Sequence, residues 1–429
     1  MKFSGKIYLK IIAKDNNRHT ACNKPIAAFV YDYATSRSTY LNFEHPDLPP
    51  DCTFEQFKNN IESAKCEVYV NNKKTYKYWL NCKLLDVSIF EFVKNNEVIE
   101  EPTNLCKNYY SIEFRNINSY NCIIPYAVHQ KVFDEEVNKV LNAVSEDSST
   151  YCFKFFNDIV TDTLFQVEKN GLKVDKPVFD KYFDSKTYDN IIYTDYHIYN
   201  PTGRPSNCYD NINFVALKKD DGSRNSFVSR YEDGYLLMVD FTGFHPYIVA
   251  NLIDYKVPAQ ETIYEHLAKY YYNVEVVSAD LLAKSKKLTM VNLYGQISEQ
   301  YINIPYFTKT EELKEKYWKR FIDKGYVKTP LYKRKITNKH VLDANKNKLF
   351  AYIIQATETE YGIDRLNNCL KFVSNKQILP VLYNYDAILF DIAGNSEQAD
   401  IKDLIEIIKN KKFKVKVYKG KNYNDMKLV

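Results

Sequence analysis

Short runs of β-branched and aromatic residues, broken by polar turns, fill the first part of the chain. KIYLKIIA, AAFVYDYA, STYLNF and CEVYVNN each read as strands, and FEQFKNNIES among them spaces its apolar positions as a helix does. Up to about residue 125 this is an α/β or α+β unit. From Val128 the period turns helical, in KVFDEEVNKVLNAV and then in YCFKFFNDIVTDTLFQVEKNG, which stops at Gly171. A short extended segment follows. Residues 201–255 then read as loop, strand (YLLMVDF) and helix (PYIVANLIDY), with Pro246 in the first helical turn, where its missing N–H has no helical partner to lose. Residues 258–325 form a mostly helical block rich in Lys and Tyr, followed by a helix around 347–372, a hairpin at 378–392 and a closing helix and strand.

The chain's 429 residues exceed one domain of roughly 100–200, so two or three domains are expected. With 45% apolar and 15% aromatic residues, 38 tyrosines and 11 glycines, the composition is globular. Its abundance of Lys, Asn, Ile and Tyr matches coding in an A+T-rich genome. A net charge of +5 permits a polyanionic partner but is too mild to demonstrate one. Nine dispersed cysteines, without a CxxC pair, indicate neither a zinc site nor a disulfide framework and fit a reducing cytosol. The N-terminal MKFSGKIYLKIIAKDNN interrupts each apolar run with a charge and lacks a signal-peptide core. No stretch approaches the ~18–20 apolar residues that span a bilayer. The expectation is a soluble cytoplasmic protein, not secreted and without a membrane partner.

Two acidic residues carry the candidate chemistry. Asp240 ends the strand YLLMVD, and Asp386 lies near the turn of VLYNYDAILFDI. Alone, each reads first as a turn or capping residue; their company changes that. The segment Gly222–Tyr255 resembles motif A of DNA polymerase I-like (family A) enzymes, a strand ending in Asp followed by a helix. Before it, the PTGRPS run at 201–206 with Asn211-Ile212-Asn213 is similar to the family's TGR segment. After it, LLAKSKKLTMVNLYGQ (281–296) resembles motif B, with Lys286 and Tyr294-Gly295 at the family's spacing. Gln355 stands where the family has its minor-groove Gln, NYDAILFDI (384–392) resembles motif C, and GYVKTPLYKRK (325–335) and FQVEKNGLKVD (165–175) match further segments. The resemblance covers residues 165–429 and is faint before that.

The resemblance implies an α/β and α+β multidomain fold: an exonuclease-like (RNase H-like) N-terminal domain, then a polymerase right hand with an antiparallel-sheet palm and helical fingers. The implied domains are 1–127 (degenerate exonuclease-like), 128–200 (helical connection and reduced thumb), 201–256 (first part of the palm), 257–325 (fingers) and 326–429 (second part of the palm). It implies a phage-type DNA polymerase that extends a primer with dNTPs. Asp240, Asp386 and Lys286 are then catalytic. Asp240, the Phe241 backbone carbonyl and Asp386 would hold two Mg2+ ions, for which Mn2+ can substitute. Lys286, Tyr294, His245, Met290 and Lys284 are the expected nucleotide contacts; Arg204, Gln355, Thr202, Asn211 and Tyr385 are the expected primer-template contacts, with Arg204 and Gln355 reading minor-groove acceptors.

Departures from the family pattern leave alternatives open. His245 replaces the Glu that excludes the ribose 2′-hydroxyl, and Met290 replaces an aromatic residue, as in single-subunit phage RNA polymerases; RNA or primase-like synthesis is the alternative they raise. Leu282 replaces an Arg of motif B, with Lys284 as the candidate substitute. Ala387 and Tyr385 replace the carboxylate and His that flank the motif C Asp. The strand region lacks an Asp-x-Glu pair, since Asp32 precedes Tyr33-Ala34, and VNNKKTYKYWL offers Tyr76 where the nuclease needs a carboxylate; no proofreading is expected. Between Asp175 and Thr202 the chain is too short for a pair of helices spanning ~30 Å, at ~20 residues each. A processivity or replisome partner is the expected compensation. A catalytically silent polymerase-like subunit and a two-metal nuclease are the remaining alternatives, the last leaving the TGR, Lys286 and Tyr294-Gly295 segments unexplained.

Overall fold

The structure, a computed structural model, describes residues 3–15, 18–95, 121–141 and 150–429. The chain divides into two compact units, Met1–Phe165 and Gln166–Val429. Cys106 and the 142–144 end of the predicted KVFDEEVNKVLNAV helix lie outside the described residues.

The first unit is built on a five-stranded sheet in the order β3-β2-β1-β4-β5. β1 (Gly5–Ala13), β2 (Pro25–Asp32) and β3 (Arg37–Asn42) are antiparallel, whereas β4 (Cys66–Val70) and β5 (Leu84–Asp86) run parallel to β1. The four longer strands fall where alternation of β-branched and aromatic residues predicts them; the three-residue β5 is too short to show a period. Helix α1 (Phe54–Ser63) starts from a capping box in which Thr53 and Gln56 satisfy each other's backbone amides, and it buries Phe57 and Ile61 against the sheet with Ile7, Val30 and Val68. α2 (Val87–Asn95) follows β5 directly. α3 (Tyr126–Val140) begins immediately after Pro125. It belongs to this unit because Phe133 stacks on Tyr8, while Glu136 accepts from Tyr8 Oη and Lys10 Nζ, each at 2.5 Å. The boundary between units falls inside the helical run at 151–170, made of α4 (Tyr151–Lys154), a π-helical turn (Phe155–Val160) and α5 (Thr161–Asn170).

The second unit centres on an antiparallel sheet in the order β15-β16-β12-β17-β18. Its members are β12 (Tyr235–Thr242), β15 (Ile378–Asn384), β16 (Ala387–Ile392), β17 (Lys414–Gly420) and β18 (Lys427–Leu428). Leu236, Leu382 and Leu389 share a core with Leu172, Phe179, Phe214 and Phe227 from the short elements before β12. Those elements are β6 (Leu172–Val174), α6 (Lys176–Tyr182) and the short strands β7 (Ile191–Ile192), β8 (Tyr196–His197), β9 (Ser206–Tyr209), β10 (Ile212–Asn213) and β11 (Phe227–Val228). Gly171 turns the chain into β6 at φ 59°, and a Cβ there would stand 2.5 Å from Ile191 Cγ2. Six helices complete the unit after β12: α7 (Phe244–Leu252), α8 (Ile263–Tyr272), α9 (Ala279–Tyr294), α10 (Pro305–Lys324), α11 (Lys346–Phe372) and α12 (Gln398–Lys409). The hairpin β13 (Tyr326–Lys328) and β14 (Lys335–Thr337) joins Phe321 and Leu349 in a smaller core between α10 and α11. Among the described residues no helix is long and apolar enough to cross a membrane, and every cysteine is a free thiol.

Candidate functional site

β12 is flanked on both sides, by β16 and β17. Its first residues are buried on both faces. Towards its end burial alternates, so that Val239 and Phe241 are buried while Asp240 and Thr242 turn to the half-exposed face. In register, Asp240 lies between Ala387 of β16 and Lys416 of β17. Asp386 occupies the two-residue turn before Ala387, because Asn384 and Ala387 pair directly. The Phe241 amide donates to the Asp386 carbonyl at 2.8 Å, extending the ladder past the last paired residues. Phe241 itself is buried, stacked on Phe244 with ring centroids 4.1 Å apart.

The two carboxyl groups share a crowded recess. Burial, and next the charge of Asp386, push the Asp240 carboxyl up to about 6, against the opposing charges of Lys219, Lys286 and Lys416. Asp386 presents accessible surface, yet protein crowds its carboxyl, and this burial together with the charge of Glu358 raises it, against its own backbone hydrogen bond and the charges of His245 and Arg204. Such a pair ionises less readily than free carboxyls, and cationic charge nearby favours its ionised form. Among the described residues no group of three or more His, Cys, Asp or Glu side chains could hold a metal ion. Two hard carboxylates at adjacent strand ends fit a divalent cation that takes its remaining ligands from backbone, water and substrate phosphate.

Helices bring the other candidates to this strand end. Gly243 enters α7 at φ 66°, in the left-handed region, with Ile263 Cγ2 3.0 Å from where a Cβ would stand; this turn places His245 one residue inside the helix. α9 starts with Ser278 Oγ accepting from the Leu281 amide at 3.3 Å. Lys286 is exposed on it, and its charge acts on Asp240. Met290 Sδ accepts from Tyr264 Oη at 3.8 Å. Tyr294 ends α9. The carbonyl of the following Gly295 accepts from the buried Lys314 ammonium at 2.8 Å, and burial holds that ammonium down at about 8.

A buried carboxylate that sequence reasoning missed connects several of these residues. Glu358, on α11, is 2% exposed. Its Oε2 accepts from Arg204 Nε at 2.5 Å, and its Oε1 stands 2.9 Å from His245 Nε2, an approach bent away from the ideal hydrogen-bond line. The other imidazole nitrogen, Nδ1, is hydrogen-bonded to Tyr294 Oη. The Arg204 guanidinium also lies over the Tyr385 ring, 4.3 Å from its centroid. Tyr385 is in the left-handed region at φ 55°, a conformation costing a non-glycine residue about 1–2 kcal/mol. Burial would raise the Glu358 carboxyl, but His245 and Arg204 outweigh it and hold the group below its ordinary value. The one trace of Glu358 in the sequence is its i, i+3 spacing from Gln355 on one helix.

The remaining candidates are placed differently. Lys284 is exposed and paired with Asp280 at 2.7 Å, an ordinary i, i+4 surface pair. Asn211, with Asp210, makes the turn between β9 and β10, both at positive φ, and is exposed there. Thr202 Oγ1 accepts from the Arg204 amide at 3.4 Å, shaping the loop that presents Arg204. Gln355 is half-buried on α11. Lys219 and Lys416, which act on Asp240, carried no signal in the sequence.

No family model and no curated protein matches the chain. Among solved structures it is similar to the POL domain of Pol1 from M. smegmatis, in complex with DNA primer-template and dNTP, at a TM-score of 0.75 and 14% identity over 99% of this chain and 97% of that one. At this identity the likeness is one of fold, and the fold is that of a DNA polymerase I polymerase domain.

Proposed function

We propose that the protein is a template-directed DNA polymerase that adds deoxynucleotides to a primer 3′ end. The observation that carries this reading is the pair Asp240 and Asp386, at the end of β12 and in the turn before the adjacent β16, with the charge of Lys286 reaching Asp240. The similar fold of a domain solved with primer-template and dNTP supports it.

Asp240, the Phe241 carbonyl and Asp386 would hold two divalent cations, magnesium by donor chemistry. Those cations, when bound, neutralise charge on the attacking and leaving oxygens of an in-line displacement. The chain's own groups do the rest. Lys286 draws the triphosphate towards the carboxylates and stabilises charge on the departing pyrophosphate. Tyr294 and His245 wall the nucleotide, and Arg204 and Tyr385 position the primer end. Lys314, by holding the Gly295 carbonyl, fixes the end of α9 from which Tyr294 projects.

The central sheet is read as palm, α8 to α10 as fingers, and the short elements before β12 as what stands in place of a full thumb, making a processivity partner expected. The first unit is read as an exonuclease-like scaffold without proofreading. Its 3-2-1-4-5 strand order supports the scaffold. Against nuclease chemistry, Tyr76 is buried and accepts from the Ile11 amide at 3.2 Å, and Asp32 caps the β2–β3 turn by accepting from the Ala34 amide at 2.8 Å.

Primer extension on a DNA template, with magnesium and either dNTPs or NTPs, tests the reading. Extension with dNTPs alone is expected. Extension with NTPs moves the chain to RNA synthesis, the reading that His245 and Met290 favour. No extension from a bound primer-template indicates a silent or partner-dependent subunit.

A further inference from the structure

The carboxylate of Glu358 has an organising position that its buried place on α11 conceals. It meets Arg204 from the loop before β9 and His245 from α7, and through them Tyr294 of α9 and Tyr385 of the β15–β16 turn. Four separate segments thus converge on one acidic side chain. A carboxylate only accepts, so in the neutral imidazole the nitrogen facing it, Nε2, carries the proton and Nδ1 is left to accept. Tyr294 stays a donor, because burial, and next the charge of Glu358, raise its phenol. The contacts form one chain: the Tyr294 hydroxyl donates to His245 Nδ1, His245 Nε2 stands 2.9 Å from one Glu358 carboxylate oxygen, and Arg204 closes the other.

His245 lies one turn past the strand that carries Asp240, and its imidazolium form acts on Asp386. On the polymerase reading, a nucleotide whose phosphates lay between the carboxylate pair and Lys286 would present its sugar to this imidazole and to the Tyr294 ring. We propose that Glu358 is the positioning residue for sugar selection, fixing the tautomer and orientation of His245 so that the imidazole and the Tyr294 hydroxyl form a rigid wall against a ribose 2′-hydroxyl. This rests on the polymerase reading above. The acid that stiffens the wall comes from α11 and acts through the histidine of α7. Neutralising it frees the ring to rotate, and a mobile wall admits the extra hydroxyl.

The test is single-nucleotide incorporation by the full chain on a DNA primer-template, comparing kcat/KM for the matched dNTP and NTP in the wild type, Glu358→Gln, His245→Ala and the double variant. Glu358→Gln is expected to lower the preference for deoxyribose by roughly tenfold or more, the size of a weakened charge-assisted hydrogen bond. The change is expected mainly as a lower KM for the NTP, and the double variant should lose no more than His245→Ala alone. A preference unmoved by Glu358→Gln, or a double variant that sums the two losses, overturns the inference while leaving the polymerase reading intact. A wild type that extends no primer with either sugar overturns that reading and this inference with it. Should Glu358→Gln not fold, 15N NMR of His245 in the wild type decides: protonated Nε2 with bare Nδ1 is expected, and the opposite tautomer overturns the proposal.

Discussion

The Phe241 amide donates to the Asp386 carbonyl at 2.8 Å. This one backbone bond ties the last turn of the β15–β16 hairpin to the strand end that carries Asp240. Two carboxyl groups distant in sequence are thereby held at one end of the central strand, where the charge of Asp386 raises the cost of ionising Asp240. That cost is what a divalent cation relieves.

Cation binding is the first consequence. Mn2+ titrated into the wild type and followed by electron paramagnetic resonance should show weak sites that Asp240→Ala removes, with the melting temperature kept or raised because a disfavoured buried charge is gone. Equal Mn2+ binding by the variant places the cation elsewhere.

Asp391 shares β16 with the residue next to Asp386 but belongs to different chemistry. It is 1% exposed and accepts from Ser229 Oγ at 2.6 Å and from Arg230 Nε at 2.8 Å. Asp391→Ala leaves Arg230 without its charge partner and should cost about 3–5 kcal/mol, read as a fall in the denaturant midpoint at unchanged Mn2+ affinity per folded molecule. A loss below about 1 kcal/mol, the range of exposed pairs, contradicts the burial argument.

Gly243 is where strand becomes helix. Gly243→Ala puts a Cβ at φ 66° within 3.0 Å of Ile263 Cγ2. The expected loss is about 1–2 kcal/mol, with nucleotide KM rising because the start of α7 carries His245. Full stability with unaltered KM would show that this turn has room to spare.

Glu360 gives a pH dependence. It is buried on α11, where its carboxylate accepts from Thr329 Oγ1 and from the Leu331 amide at 3.2 Å. Burial nevertheless pushes the carboxyl up to about 7. The folded chain then binds this proton more tightly than the unfolded chain. The resulting stability is fully present below the unfolded pKa near 4.3 and is lost as pH rises through about 7. Glu360→Gln should remove that dependence and gain about 1–3 kcal/mol relative to the wild type between pH 5 and pH 8. Denaturation curves that stay parallel over this interval contradict it.

Much of this architecture was legible in the sequence because its long elements carry long periods. The strands at 5–13, 25–32, 37–42 and 66–70, the helix at 346–372 and the hairpin at 378–392 all follow from alternation or helical spacing. The strands β5 to β11 did not, since two to four residues cannot display a period and their pairing is set by tertiary contacts. That Asp386 and Lys286 lie close enough to act on Asp240 was expected from motif order. Glu358 and Lys416 were not: one acts from inside a long helix that reads as packing, and the other faces Asp240 only through the register of β17. The sequence also presented Lys284 and Asn211 as ligand contacts, while locally each is occupied, by an i, i+4 pair and by a hairpin turn.

The most direct measurement is rapid-quench incorporation of one matched dNTP on a primer-template with magnesium, comparing wild type with Asp386→Asn at equal primer-template occupancy. Incorporation by the wild type is expected, with a fall of at least ~10³-fold in the variant, the order reached when a transition-state charge stabiliser is lost. Incorporation by Asp386→Asn at the wild-type rate would contradict the assignment of this carboxylate pair.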